Sequence, residues 1–186
     1  MIKLPNDINQ YQVFNKQSYL PYKDKLNLLL DEFSKSNDKL SKNYIPKKIK
    51  FDSLNEITLI VYEDEIIAFA SVLDRDIWPK NISRIFNRLL RNKKFEWENP
   101  TFGIISKLIH DYQIEYCKKI GKDFVFISIE GNKRLYLKRW IEQANEYSPE
   151  WTLCNEKKWV CKGSPESCLQ HIIYKKISDI NEPFPL

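Results

Sequence analysis

The sequence predicts a mixed α/β (α+β) fold, a mostly antiparallel sheet flanked by helices, and three stretches carry that expectation. Ile57–Tyr62 and Glu65–Leu73 are β-branched and aromatic runs parted by Glu63-Asp64, which reads as a tight hairpin with a charged turn. Asn99-Pro100 opens a helix, because Asn can accept a first-turn N–H and Pro at the first helical position gives up a donor that has no partner there. Phe124–Ile129 is apolar on both faces, the pattern of an interior strand covered on two sides.

Taken in order, Ile8–Lys16 reads as a short strand. Tyr22–Ser36 reads as a helix, with Leu26, Leu29, Leu30 and Phe33 inward and Pro21 at its start. Lysine-rich 36–50, with Pro46, reads as a loop or a short second helix. After the hairpin, 82–91 fits a helix by period and a bulged strand by architecture. The helix from Asn99 is expected to turn Phe102, Ile105, Leu108, Ile109, Tyr112, Tyr116 and Ile120 inward and Ser106, Lys107, Gln113 and Glu115 outward. Lys118, Lys119 and Gly121 supply its stop. A further helix is expected from Asn132 to about Ala144. Strands at 151–153, 158–161 and 168–176 follow, with turns at Glu156-Lys157 and Gly163-Ser164-Pro165, and then an irregular tail from Asn181.

Composition narrows the function. The chain has 186 residues, 42% of them hydrophobic, enough to bury a core within one domain spanning 1–186. No apolar run reaches the roughly 18 residues that cross a bilayer. The opening Met1-Ile2-Lys3-Leu4-Pro5-Asn6 lacks the hydrophobic region of an export signal, so no membrane association and a cytoplasmic location are expected. The four cysteines then read as reduced thiols. With only four glycines the chain cannot build the glycine-rich loops of Rossmann or P-loop sites. A net charge of +5 favours an anionic partner. Cys154, Cys161, Cys168 and His171 lack the close pairs of a zinc site, and the two histidines lie in no nucleophile motif, so no metal is expected.

The order of strand, helix, hairpin, long strand, helix, buried strand, helix and terminal strands resembles the GNAT acyl-CoA N-acyltransferase superfamily over nearly the whole chain. The resemblance implies a pair of parallel strands, 82–91 and 124–129, that splay to admit the pantetheine arm of acetyl-CoA. It also implies a pyrophosphate site at the start of the helix after Asn99. The family's loop pattern falls on Pro100-Thr101-Phe102-Gly103-Ile104-Ile105 and matches at Gly103. Thr101, Phe102, Gly103 and Ile104 are therefore the implied acetyl-CoA contacts, together with Asn132, which stands where the family has an Asn just after the buried strand. The family's catalytic Tyr lies seven residues further on. Arg139 holds that position here, and Tyr136 is the nearest tyrosine and the candidate acid. Glu130, ending the buried strand, is the candidate base for an amine.

Residues 76–79 and 84–88 also resemble a segment of small GNAT-like proteins encoded by tailed bacteriophages. Arg84, Asn87 and Arg88 form a candidate substrate or anion site there, and Asp74 and Asp76 are alternative ion-pair partners for the arginines. Three functions remain open on the sequence. One is acyl transfer from acetyl-CoA to a small-molecule or protein amine. Another is a catalytically degenerate GNAT-like binding or structural module. The third is nucleic-acid binding through Arg84, Arg88, Arg91, Lys93 and Lys94 interleaved with Phe86, Phe95 and Trp97.

Overall fold

The computed structural model describes residues 2–35, 51–76, 78–130, 151–160 and 169–186. In chain order the elements are β1 (Ile2–Lys3), β2 (Gln12–Asn15), α1 (Lys23–Lys35), β3 (Glu56–Tyr62), β4 (Glu65–Leu73), β5 (Ile82–Arg91), β6 (Phe95–Glu96), α2 (Asn99–Lys119), β7 (Phe124–Glu130), β8 (Thr152–Val160) and β9 (Leu169–Lys176). Seven strands form one sheet in the order β2-β3-β4-β5-β7-β9-β8, and β1 pairs with β6 in a second, two-stranded one. β5 and β7 run parallel, whereas the β2–β3, β3–β4, β7–β9 and β8–β9 pairs are antiparallel. The expected mixed fold with a parallel pair is the one found, and 82–91 resolves as strand. The loop-or-helix segment 36–50, the helix from Asn132 and the turn at 163–165 lie outside the described residues.

Packing divides the chain into two compact units, Met1–Leu73 with Phe86–Gln113, and Asp74–Ile85 with Ile114–Leu186. In the first, the hairpin is covered on both faces because its side chains alternate. Ile57, Leu59, Val61, Ile66 and Phe69 pack with Leu26, Leu29, Leu30 and Phe33 of α1. Ile60, Ile67, Ala68 and Ala70 pack with Leu4, Tyr11, Phe95, Ile105 and Ile109. The charged turn is confirmed: Glu63 and Asp64 take positive φ of 47° and 63°, the left-handed pair that suits strand twist. The Lys25 ammonium donates to both the Asp64 carbonyl and its carboxylate, each at 2.6 Å, and holds that carboxyl below its ordinary range. The register slips between Ile60 and Val61, leaving Ile67 as the extra residue of a bulge.

The inward face of α2 differs from the expected one. Ile105 and Ile109 are buried as anticipated, but so are Thr101, Ser106, His110 and Gln113, whereas Tyr112 is 47% exposed. The cause lies opposite, where Ala68 and Ala70 join Ile105 and Ile109 in one cluster. Small side chains on the sheet allow close approach, which favours small or polar helix residues over tyrosines. Burial of Gln113 is offset on its nitrogen side alone, where the amide donates to the Ser71 carbonyl at 3.2 Å. The start of the helix also shifts. Its first intrahelical bond runs from the Phe102 N–H to the Glu98 carbonyl at 2.9 Å, so Glu98, not Asn99, is the cap and Pro100 sits second in the helix.

In the second unit, α2 ends as expected. Gly121 has φ +75°, its N–H donates to the Lys118 carbonyl, and the Lys122 N–H reaches back to Cys117, a Schellman closure. β7 then pairs with β5 (Ile82↔Phe124 through Arg84↔Phe126) and with β9 along its whole length. Phe124, Val125, Phe126 and Ile127 are all buried, as two-sided patterning requires. One expectation fails here: Glu156-Lys157 is not a turn but lies inside a single strand, β8. Pairing with β9 resumes after a register shift between Cys154 and Trp159, so a bulge absorbs residues that lack a turn's glycine or proline. The tail is irregular yet packed, with Phe184 stacked on Tyr174 at 4.3 Å and edge-on to Phe124 at 5.6 Å. Among the described residues no helix is long and apolar enough to cross a membrane.

Phe126 is fully buried and meets Trp78 edge-on at 5.1 Å. Phe126→Ala is expected to cost about 3–5 kcal/mol in chemical denaturation. In hydrogen exchange the amides of Val125–Ile127 are expected among the slowest.

Candidate anion site at the start of α2

A tight local network fixes the backbone that leads from β5 into α2. Asn92 is buried, and its side-chain amide donates to the Ile66 carbonyl at 2.8 Å while its N–H donates to Ile67 at 2.8 Å, so the bulge in β4 is read by the strand end beside it. The Asn92 side-chain oxygen accepts the Lys94 N–H at 3.0 Å, an Asx turn, and its carbonyl accepts the Trp97 indole N–H at 3.0 Å. One buried asparagine therefore positions Trp97. The sequence reading passed over it, although Asn followed by two lysines between apolar strands is an Asx-turn signal.

Arg91 ends β5 just before this turn. Its guanidinium lies over the Trp97 ring at 5.8 Å and over the Phe102 ring at 5.3 Å. The two lysines that follow are directed elsewhere, with Lys93 over Phe33 at 6.0 Å and Lys94 beside Glu32 at 3.9 Å, both on α1. Phe95 is only 4% exposed and packs with Leu4 and Ile105, so it offers no ring to a base. Burial of Phe95 and dispersal of the lysines weigh against an extended nucleic-acid path here.

The amides of Asn99 and Thr101 have no acceptor within the helix, and the helix dipole adds positive potential there. Pro100 withholds one donor. The Thr101 hydroxyl donates to the Asn6 side chain at 2.7 Å and the residue is buried, so Asn99 is the exposed residue of this first turn that carries an N–H. Gly103 is buried and Ile104 half-buried in the same turn. Glu98 meets Lys3 at 3.1 Å, so its negative charge is largely matched, although both groups are exposed and the pair adds little stability. Thr101, Phe102, Gly103 and Ile104 are thus brought together, with Arg91 added by the fold.

The remaining described candidates belong to strands β5 and β7. Arg84 is half-buried on β5, opposite Phe126 in register, and Asn87 and Arg88 follow on the same strand. Asp74 pairs with Lys122 at 2.8 Å. The backbone of Glu130 ends β7 opposite Gln170 of β9. Asn132 and Tyr136 lie outside the described residues, as do Cys161 and Cys168.

No protein-family model and no curated protein sequence matches the chain. Its fold does have solved counterparts. A probable acetyltransferase from Staphylococcus epidermidis ATCC 12228 superposes with a TM-score of 0.62 at 13% identity, over 90% of this chain and 99% of that one. An acetyltransferase of the GNAT family from Streptococcus pneumoniae gives 0.56 at 11% identity, over 90% and 100%. A GNAT family acetyltransferase from Elizabethkingia anophelis with acetyl-CoA bound gives 0.51 at 17% identity, over 90% and 99%. At such identities the likeness is one of fold, and the fold is that of the GNAT acetyltransferases.

Tyr11 underlies this region, packing with Leu4 and Phe95 and donating its hydroxyl to the Pro5 carbonyl. Burial, with Tyr62 alongside, pushes its hydroxyl up to about 12. Folding thus favours the neutral form, so its contribution is intact below pH about 10 and is lost as pH rises through the folded value. Stability measured by denaturant titration should fall across that alkaline window, and Tyr11→Phe should flatten the fall.

Proposed function

We propose that this protein binds acetyl-CoA and transfers its acetyl group to the nitrogen of a small-molecule or protein amine. The observation that supports the reading is the strand–helix–parallel strand unit β5–α2–β7 of a GNAT fold, with an anion-favouring donor set at the start of its helix. That set suits a phosphate ester: an exposed first-turn amide at Asn99, a guanidinium held against two rings, and a lysine that offsets Glu98. Bound acetyl-CoA supplies an acyl thioester already activated toward an amine. The chain's part is to hold it and to manage protons. Glu130 is the proposed base that takes the proton the amine loses as the N–C bond forms. Tyr136 is the proposed acid that protonates the thiolate as the C–S bond breaks, and Asn132 is a further proposed contact. Arg84, Asn87 and Arg88 are the proposed contacts for an anionic part of the acceptor. The local likeness to tailed-bacteriophage proteins extends the proposal to a phage-encoded enzyme acting in a host cytoplasm.

Pro100 within the phosphate-facing turn favours a second reading, a binding module of the same fold that has lost turnover. A panel of amines incubated with acetyl-CoA and the protein separates the two. Transfer requires amine-dependent release of free thiol, and release no faster than hydrolysis with every amine tested would reject it.

Charge placed at the helix start tests the binding half. Asn99→Asp adds a carboxylate at an exposed first-turn position where it favours the helix, so melting temperature should hold or rise while acetyl-CoA affinity falls by about 5- to 10-fold. Glu98→Gln should tighten binding several-fold. Both effects should shrink in high salt, because exposed charges are screened.

A further inference from the structure

A guanidinium held against two aromatic rings has lost most of its rotamer freedom before any ligand arrives. Among the described residues Arg91 forms no ion pair, although Glu96 and Glu98 lie nearby in sequence, and its side chain is exposed. Its neighbours on the basic run are engaged with α1. The cost of fixing Trp97 is offset by a partly buried hydrogen bond to the Asn92 carbonyl, and Asn92 is itself tied to the β4 bulge by a buried one. The Asn92 network thus orders an exposed cation that forms no ion pair among the described residues. Guanidinium in that setting suits a planar, bidentate contact to a phosphate oxygen pair.

We propose that Arg91, clamped by Trp97 and Phe102, is the phosphate-reading residue of the acetyl-CoA site, supplying from the end of β5 hydrogen-bond donors where Pro100 has none. The assignment rests on the acetyl-CoA reading above and goes beyond it, since position 91 lies outside the loop pattern that the sequence resembles. The contact is made to phosphate and not to the pantetheine arm. Arg91 is therefore a ligand-contacting residue, read out in affinity for the phosphorylated ligand.

The test is calorimetric titration of the full chain with CoA and, separately, with pantetheine, which carries no phosphate. Arg91→Gln is expected to weaken CoA binding by about 10- to 100-fold and to leave pantetheine binding unchanged. Arg91→Lys, which keeps the charge and loses the planar fork, should recover part of the loss. Melting temperatures of both variants within a few degrees of the parent exclude misfolding. If Arg91→Gln binds CoA as tightly as the parent does, the role of Arg91 is overturned while the acetyl-CoA reading stands. If the parent binds neither CoA nor pantetheine, both fall. Binding of a single-stranded oligonucleotide that Arg91→Gln then weakens would assign the clamp to nucleic acid.

Discussion

Two parallel neighbouring strands cannot be joined by a tight turn; they need a crossover long enough to return the chain to the same end of the sheet. Here that demand falls on β5 and β7, and α2 meets it. The consequences spread from there. A crossover helix must lie against the sheet, which asks for small residues at the contact and explains why Ala68 and Ala70 face a helix carrying Ser106 and Gln113 on its buried side. The strand entered after the crossover has neighbours on both edges and cover on both faces, hence the wholly buried Phe124–Ile127. The crossover also leaves a helix N-terminus just after a strand end, where unpaired amides collect.

Much of this was legible because it depends on local chemistry. The left-handed turn at Glu63-Asp64, the Gly121 closure of α2 and the two-sided apolar run of β7 each follow from residues within a few positions of one another. What the sequence hid depends on partners far along the chain. The rotation of α2 is decided by two alanines on β4, more than thirty residues upstream, and no period within the helix reveals them. The continuity of β8 through Glu156-Lys157 is decided by its pairing with β9. The packing of Phe184 is decided by Tyr174 and Phe124.

The candidate site divides in the same way. Thr101 to Ile104 were proposed from a motif position, and the fold keeps them in one helical turn. Arg91 was visible only as one member of a basic stretch, because its distinction from Lys93 and Lys94 is geometric: the turn at Asn92 sends the lysines toward α1 and leaves the arginine beside Trp97 and Phe102. Of Arg91, Lys93 and Lys94, that sorting leaves one charge beside Trp97 and Phe102. It suits a compact anion better than a polyanion, whose many phosphates need charges spread along a path.

The central claim is that the first turn of α2 is a phosphate site, and amide chemical-shift mapping tests it most directly. In a two-dimensional nitrogen–proton spectrum of the unaltered chain, added CoA should shift the amides of Asn99, Thr101, Phe102 and Gly103 and the side-chain resonance of Arg91 most, saturably and less so in high salt. Saturable shifts elsewhere that leave these residues unmoved, or no shifts at millimolar CoA, would contradict it.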